Sequence, residues 1–175
     1  MRKLLIMLCA VLCCQVLLAE EYQFGNGKLV VKKLAANAVR IQYVEQSPTE
    51  ALPEWLYVKD QEVKGNDIAV RVDAAKQQVE VLDKSGKVVF TATSHQLKNN
   101  TVAGLQTYEA QLVFTSPENE FLYGLGQFQD GYTNVRGLSR RLTQVNTQIS
   151  IPMMLSSRGY GILWNNYGLT DFNPM

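Results

Sequence analysis

Between Gln127 and Arg136 the chain gathers side chains able to recognise a polyol: Gln127, Phe128, Gln129, Asp130, Tyr132, Asn134 and Arg136. Planar amide, carboxylate and guanidinium groups hydrogen-bond paired hydroxyls, and an aromatic face covers the apolar C–H face of a sugar ring. The cluster follows FLYGLGQ, Phe121 to Gln127, with glycines at 124 and 126. A phosphate-cradling loop, the rim of a sugar site and a tight turn between strands would each use such a stretch. A dinucleotide loop needs a third glycine where Gln129 stands, and a helix facing the phosphate; a P-loop needs Gly-Lys-Ser/Thr. None of these is present. Two readings remain: glycines that permit a bulge or bend, and a sugar-site rim carried on a loop between rigid strands.

The same region is poor in catalytic groups. Retaining hydrolysis of a glycosidic bond needs two carboxyl groups about 5–5.5 Å apart, one as nucleophile and one as acid/base. Asp130 is the local carboxylate, with Asp171 far along the chain, and neither has a partner in a recognisable pattern. Asp130 therefore reads as a turn residue or a hydrogen-bonding rim residue. His95, the one histidine, stands at the end of an expected strand and reads as a solvated or locally bonded residue; alone it builds no zinc site. There is no Gly-x-Ser-x-Gly elbow. No catalytic residue, metal ligand or cofactor is expected. Trp55 reads as a residue of a Pro-containing loop, with ligand contact as the alternative, and Trp164 as a packing residue at the end of an apolar strand.

Before this region the chain reads as strand after strand. Val39, Ile41 and Tyr43 alternate with Arg40 and Gln42; Ile68, Val70 and Val72 with Ala69 and Arg71; Val79 and Val81 flank Glu80. LDKSGK then turns the chain into Val88–Ala92. Further on, Tyr108, Ala110, Leu112 and Phe114 alternate with Glu109 and Gln111, and Thr147, Ile149 and Ile151 with Gln148 and Ser150. Period-2 alternation bounded by Gly, Asn, Asp and Ser is the pattern of half-buried antiparallel strands. No capped apolar run of helical period follows Ala19; Arg136–Leu142 is expected to form at most one helical turn. Ser47–Trp55 and Leu97–Gln106 read as loops. The expected fold class is all-β, an antiparallel β-sandwich. After GYGILW the chain ends without a closing strand, so the sandwich is expected to be incomplete at its C-terminus.

The first 19 residues follow a different logic. Arg2 and Lys3 precede an apolar run from Leu4 to Leu18, and Ala19 stands before Glu20 and Glu21. Basic, apolar, small and acidic in that order is a secretory signal peptide, and the run is shorter than the roughly 20 residues of a membrane span. Residues 1–19 are thus expected to be removed on export to the periplasm or extracellular envelope, leaving 20–175 as the domain. Cys9, Cys13 and Cys14 leave with the signal, so neither disulfides nor thiol chemistry are available to the mature chain. Removal also takes two of the 17 basic residues, leaving 15 against 16 acidic ones. A net charge near −1 carries no footprint for nucleic acid or an anionic membrane.

FLYGLGQ, taken with IPMMLSSRGYGILWNN, resembles the N-terminal β-sandwich, galactose-mutarotase-like, of glycoside hydrolase family 31, the retaining α-glucosidases and α-xylosidases. Tyr123–Gln127 stands for that family's Tyr-Gly-Leu-Gly-Glu element, Ile151–Leu155 for a Pro-bearing strand, and Gly159–Leu163 for a Gly-Tyr-Gly strand that holds the domain against the catalytic barrel. QVNTQISIP and SSRGYGILWNNYG look like secreted bacterial members. Two positions depart from the pattern: Gln127 replaces a common Glu, and Val145-Asn146-Thr147-Gln148 replaces an Asn-Arg-Asp-Thr loop. The resemblance implies that both catalytic carboxylates belong to a barrel absent from this chain. It implies an α-linked oligosaccharide as ligand, bound jointly with that barrel. Phe128, Asp130, Tyr132, Asn146 and Thr147 are the expected substrate contacts. The alternatives are a free-standing, lectin-like sandwich and a purely structural envelope domain.

Overall fold

The computed structural model describes residues 19–45, 64–166 and 168–173. The expected signal segment up to Leu18, the Ser47–Trp55 loop with its tryptophan, and Pro174 lie outside the described residues. Within them the strands are β1 (Glu20–Phe24), β2 (Gly27–Ala35), β3 (Ala38–Val44), β4 (Ile68–Asp73), β5 (Gln78–Asp83), β6 (Val88–Val102), β7 (Leu105–Phe114), β8 (Leu122–Gln127), β9 (Arg140–Leu142), β10 (Ile149–Ser156), β11 (Tyr160–Leu163) and β12 (Thr170–Phe172). The chain divides into two compact units, Met1–Ile68 and Ala69–Met175.

The first unit is a meander in the order β1-β2-β3. Glu20 to Phe24 pairs antiparallel with Val31 to Gly27, and β2 pairs likewise with β3. Leu29 and Val31 are buried between the polar Lys28 and Lys32, the side-to-side alternation of a pleated strand. Phe24 packs edge-on to Tyr43, ring centroids 6.2 Å apart.

The second unit holds three sheets. The largest runs β4-β5-β6-β7. Val79 and Val81 of β5 and Phe90 and Ala92 of β6 point into the core, while Glu80 on the other face takes Arg71 at 2.6 Å. The LDKSGK turn forms where expected: Asp83 Oδ1 accepts from the Ser85 and Lys87 amides at 2.8 and 3.0 Å. Leu97–Gln106, expected to be a loop, is instead the outer part of a long hairpin. Only Ala103 and Gly104 turn, both at positive φ (49° and 80°), as a two-residue hairpin connection requires. Its Asn, Thr and Gln side chains gave it a loop's composition, yet exposed ribbons tolerate polar residues on both faces. His95, read as a strand-end residue, lies inside β6 opposite Leu112; it is half-buried, and burial pushes its pKa down.

The second sheet runs β11-β10-β8. It meets the first through rings: Phe90, 5.5 Å from Phe114 within the first sheet, lies 5.7 Å from Tyr160 of the second. Beneath them Leu122, Leu125, Val135 and Met154 form a buried cluster. The third sheet is the pair β12-β9; the helical turn expected over Arg136–Leu142 is instead a turn at Arg136–Gly137 followed by β9. The fold is all-β with antiparallel strands, and its two larger sheets in this unit stack as a sandwich does.

One expectation inverts. Ile149 and Ile151 belong to an outward row with Met153 and Leu155 of β10 and Leu163 of β11, all between 41% and 63% exposed. The inward positions of β10 are Met154 and Ser156. Alternation tells which residues share a face; the face that turns inward was here set by Met154 and by a buried acid. Glu120 is fully buried, and its Oε1 accepts from the Ser156 hydroxyl and from Tyr160 Oη at 2.6 Å. Burial pushes this carboxyl up, but hydrogen bonds from Ser156, Tyr160 and Ser116, with nearby Arg158, together hold it below its ordinary value.

Candidate functional site

The site begins with the strained strand β8. Gly124, Leu125 and Gly126 have φ of 102°, 68° and 106°, a left-handed run that interrupts an otherwise paired strand. Opposite it, the register of β10 jumps from Ser150 (facing Gly126) to Met154 (facing Gly124). The extra residues of β10 bulge around Pro152, which suits a proline inside a central strand. The glycines are therefore neither a phosphate cradle nor the end of the strand. They let β8 continue through a bulge while Leu125 turns its side chain into the core, 3% exposed.

Beyond β8 the chain forms a loop, 128–139, with its own internal scaffold. Asn134 Oδ1 accepts from the amides of Leu122 and Arg136 at 3.0 and 3.1 Å, and the Val135 amide donates to Leu122 O at 2.7 Å. Val135 is buried in the core cluster, which pins the loop's centre. Asp130 Oδ1 accepts from the Tyr132 amide at 3.2 Å, while Oδ2 takes Nη1 of Arg140 on β9. The guanidinium carbon of Arg140 sits 4.2 Å from the centroid of Phe128. The Arg140 bond, partly opposed by burial, holds the Asp130 carboxyl below the usual carboxylate range.

Of the expected contacts, Phe128, Asp130 and Tyr132 thus come together on one loop, but in different roles. Phe128 is half-buried against the core cluster with Arg140 over its ring. Asp130 has both oxygens occupied. Tyr132 projects outward, 64% exposed. Asn146 and Thr147 are the two exposed central residues of a separate turn, closed by Val145 and Gln148 amide–carbonyl bonds of 3.1 and 3.2 Å. No hydrogen bond or ion pair among the described residues joins the two turns. Trp164 is half-buried after β11, and its amide donates to Pro152 O at 2.8 Å.

Sequence reasoning did not find Arg140, since its partners are 10 and 12 residues away and nothing local marks it. The Arg140-Arg141 pair was the available signal. Successive side chains of a strand point to opposite faces, so β9 sends Arg140 inward to Asp130 and Arg141 outward to Asp171. There the guanidinium makes a two-pronged contact of 2.9 and 3.0 Å. Asp130 and Asp171 consequently lie on opposite faces of β9, each engaged by its own arginine.

This geometry has relatives. An α-xylosidase from Saccharolobus solfataricus is 30% identical over 171 residues, 84% of this chain and 23% of the relative. An uncharacterized family 31 glucosidase of Pseudescherichia vulneris is 44% identical over 59 residues, 34% of this chain and 11% of its own. Among solved structures, a family 31 α-xylosidase from Xanthomonas citri superposes with a TM-score of 0.75 at 23% identity, over 87% of this chain and 19% of that one. Another, from a soil metagenome and complexed with xylose, gives 0.69 at 23% identity, over 86% and 27%. The chain spans about a quarter or less of the length of the curated relatives it matches. The family model of the glycosyl hydrolase 31 N-terminal galactose mutarotase-like domain matches residues 28–173, and the chain belongs to that family.

Proposed function

We propose that the chain is the non-catalytic N-terminal domain of an exported α-glycosidase, an α-xylosidase or α-glucosidase of carbohydrate metabolism. In this reading it supports the catalytic barrel and lends the loop after β8 to the rim of the active site, where an α-linked oligosaccharide binds. The observation that carries the reading is the outward apolar row Ile149, Ile151, Met153, Leu155 and Leu163. A contiguous apolar sheet face of this kind marks an interaction surface, and a barrel packed on it is the neighbour that family membership suggests. A lectin-like sandwich built on Phe128 and Asp130 would need both side chains free. Phe128 and Asp130 are held by Arg140 instead, which favours the supporting role.

Export belongs to the same proposal, motivated by the Met1–Ala19 pattern. Mass spectrometry of the native protein recovered from the cell envelope is expected to find Glu20 or a near neighbour at the N-terminus. Intact Met1, or a lipid-modified cysteine, would refute the signal-peptide reading.

A further inference from the structure

We propose that Arg140 is the positioning residue of the rim loop and that Tyr132, rather than Phe128 or Asp130, is its sugar contact, for a neutral pyranose. The inference rests on the rim reading above and assigns roles within it.

Arg140 is placed to act on the loop and on little else. Its side chain is 7% exposed, so the charge is out of water. Its Nε is buried with no hydrogen-bond partner among the described residues. A buried donor left unmet is costly, and such a feature persists where the surrounding structure fixes it. Two contacts fix it here: the ion pair to Asp130 and the guanidinium over Phe128. Both contacts end on the loop, two residues apart. Asp130 in turn holds the Tyr132 amide, so the chain of contacts runs from the buried arginine to the residue that faces solvent.

Tyr132 has what a sugar contact requires. Its ring is exposed, apolar on its faces and polar at its tip, and only two torsions must be fixed on binding. Gln129 and Thr133, also exposed, supply an amide and a hydroxyl on either side along the chain. Asp130 is the single charged side chain between Phe128 and Asn134, and Arg140 neutralises it. Arg136, farther along the loop, is turned back onto Ser116 Oγ and O at 3.4 and 3.3 Å. The stretch around Tyr132 therefore offers no free charge to an acidic sugar, which selects a neutral ring.

The test uses the full chain, isotopically labelled, with methyl α-xylopyranoside as probe. Amide relaxation reads loop order, and saturation transfer with a titration reads binding. In the parent, the Tyr132 amide is expected to be ordered (order parameter about 0.85) and to fall below about 0.6 in Arg140→Lys, which keeps the charge but loses the fork and the stacking. Asp130→Asn, which opens no core cavity, is expected to loosen the same amide should Arg140→Lys fail to fold. Both variants should weaken the sugar roughly threefold. Tyr132→Ala should weaken it roughly tenfold with loop order unchanged, and Tyr132→Phe should restore most of the loss. A parent that binds while Arg140→Lys and Asp130→Asn leave order and affinity unchanged overturns the positioning role. Binding that survives Tyr132→Ala overturns the contact. A parent that does not bind, with order lost in Arg140→Lys, overturns Tyr132 as a contact of this chain, while the positioning of the loop and the shared rim stand.

Discussion

Incubated with an aryl α-xyloside or an aryl α-glucoside, the purified chain is expected to release aryl alcohol no faster than buffer alone. The reason is geometric. Enzymes accelerate such reactions by about 10⁶-fold or more, and a positioned acid–base group alone contributes about 10²–10⁴-fold. Two carboxyl groups must face one glycosidic oxygen and carbon. Asp130 and Asp171 face opposite sides of β9, and each is bound to an arginine. Those arginines hold both carboxyls below their ordinary values, the wrong direction for a general acid. Glu120 is fully buried, out of reach of any substrate. Asp73 and Glu80 do line one shallow groove, of about 260 Å³, with Arg71, Lys76 and Gln78. Each is ion-paired there, Asp73 with Lys76 at 3.2 Å and Glu80 with Arg71, and the bonds from Lys76 hold the Asp73 carboxyl below its ordinary value. Release above the buffer rate that disappears in Asp130→Asn would overturn this reading and make Asp130 a catalyst.

The largest effect on stability is expected at Gly126. An alanine Cβ there would stand 2.8 Å from the Ile149 carbonyl carbon and closer still to its oxygen, at φ 106°. At Gly124, φ 102°, it would meet Met153 O at 2.5 Å. Both obstacles are backbone of the paired strand and cannot rotate away. Gly126→Ala is expected to cost about 3 kcal/mol, with Gly124→Ala slightly less, combining left-handed strain with displaced backbone. For a chain of this size that lowers the thermal midpoint by roughly 6–12 °C. Gly86 supplies the comparison: its φ is 80° but nothing lies within 4 Å of an added Cβ, so Gly86→Ala should cost only about 1 kcal/mol. If Gly126→Ala melts no lower than Gly86→Ala, the close approach of β8 and β10 is incidental to stability.

What could be read from the residues follows from the range of the forces involved. Val39-Ile41-Tyr43 and Val79-Val81 announce β3 and β5 because alternation is a local consequence of the pleat. The three-residue strands β9 and β12 are too short to show any period, and their pairing rests on Arg141 meeting Asp171, 30 residues on. In β8 the glycines resembled a break, since nothing in FLYGLGQ shows that a bulge of β10 receives it. The loop after β8 was legible as a place where sugar-binding groups gather. Its division into scaffold and contact was not, since Phe128 and Asp130 owe their roles to Arg140 arriving from another strand.

Sequencing the native message through and beyond the Met175 codon decides whether this chain serves a larger glycosidase or acts alone. The reading frame is expected to continue into a (β/α)₈ barrel bearing two carboxylates. A stop codon directly after Met175 in the native message, with no barrel frame behind it, would instead make the chain a free-standing sandwich.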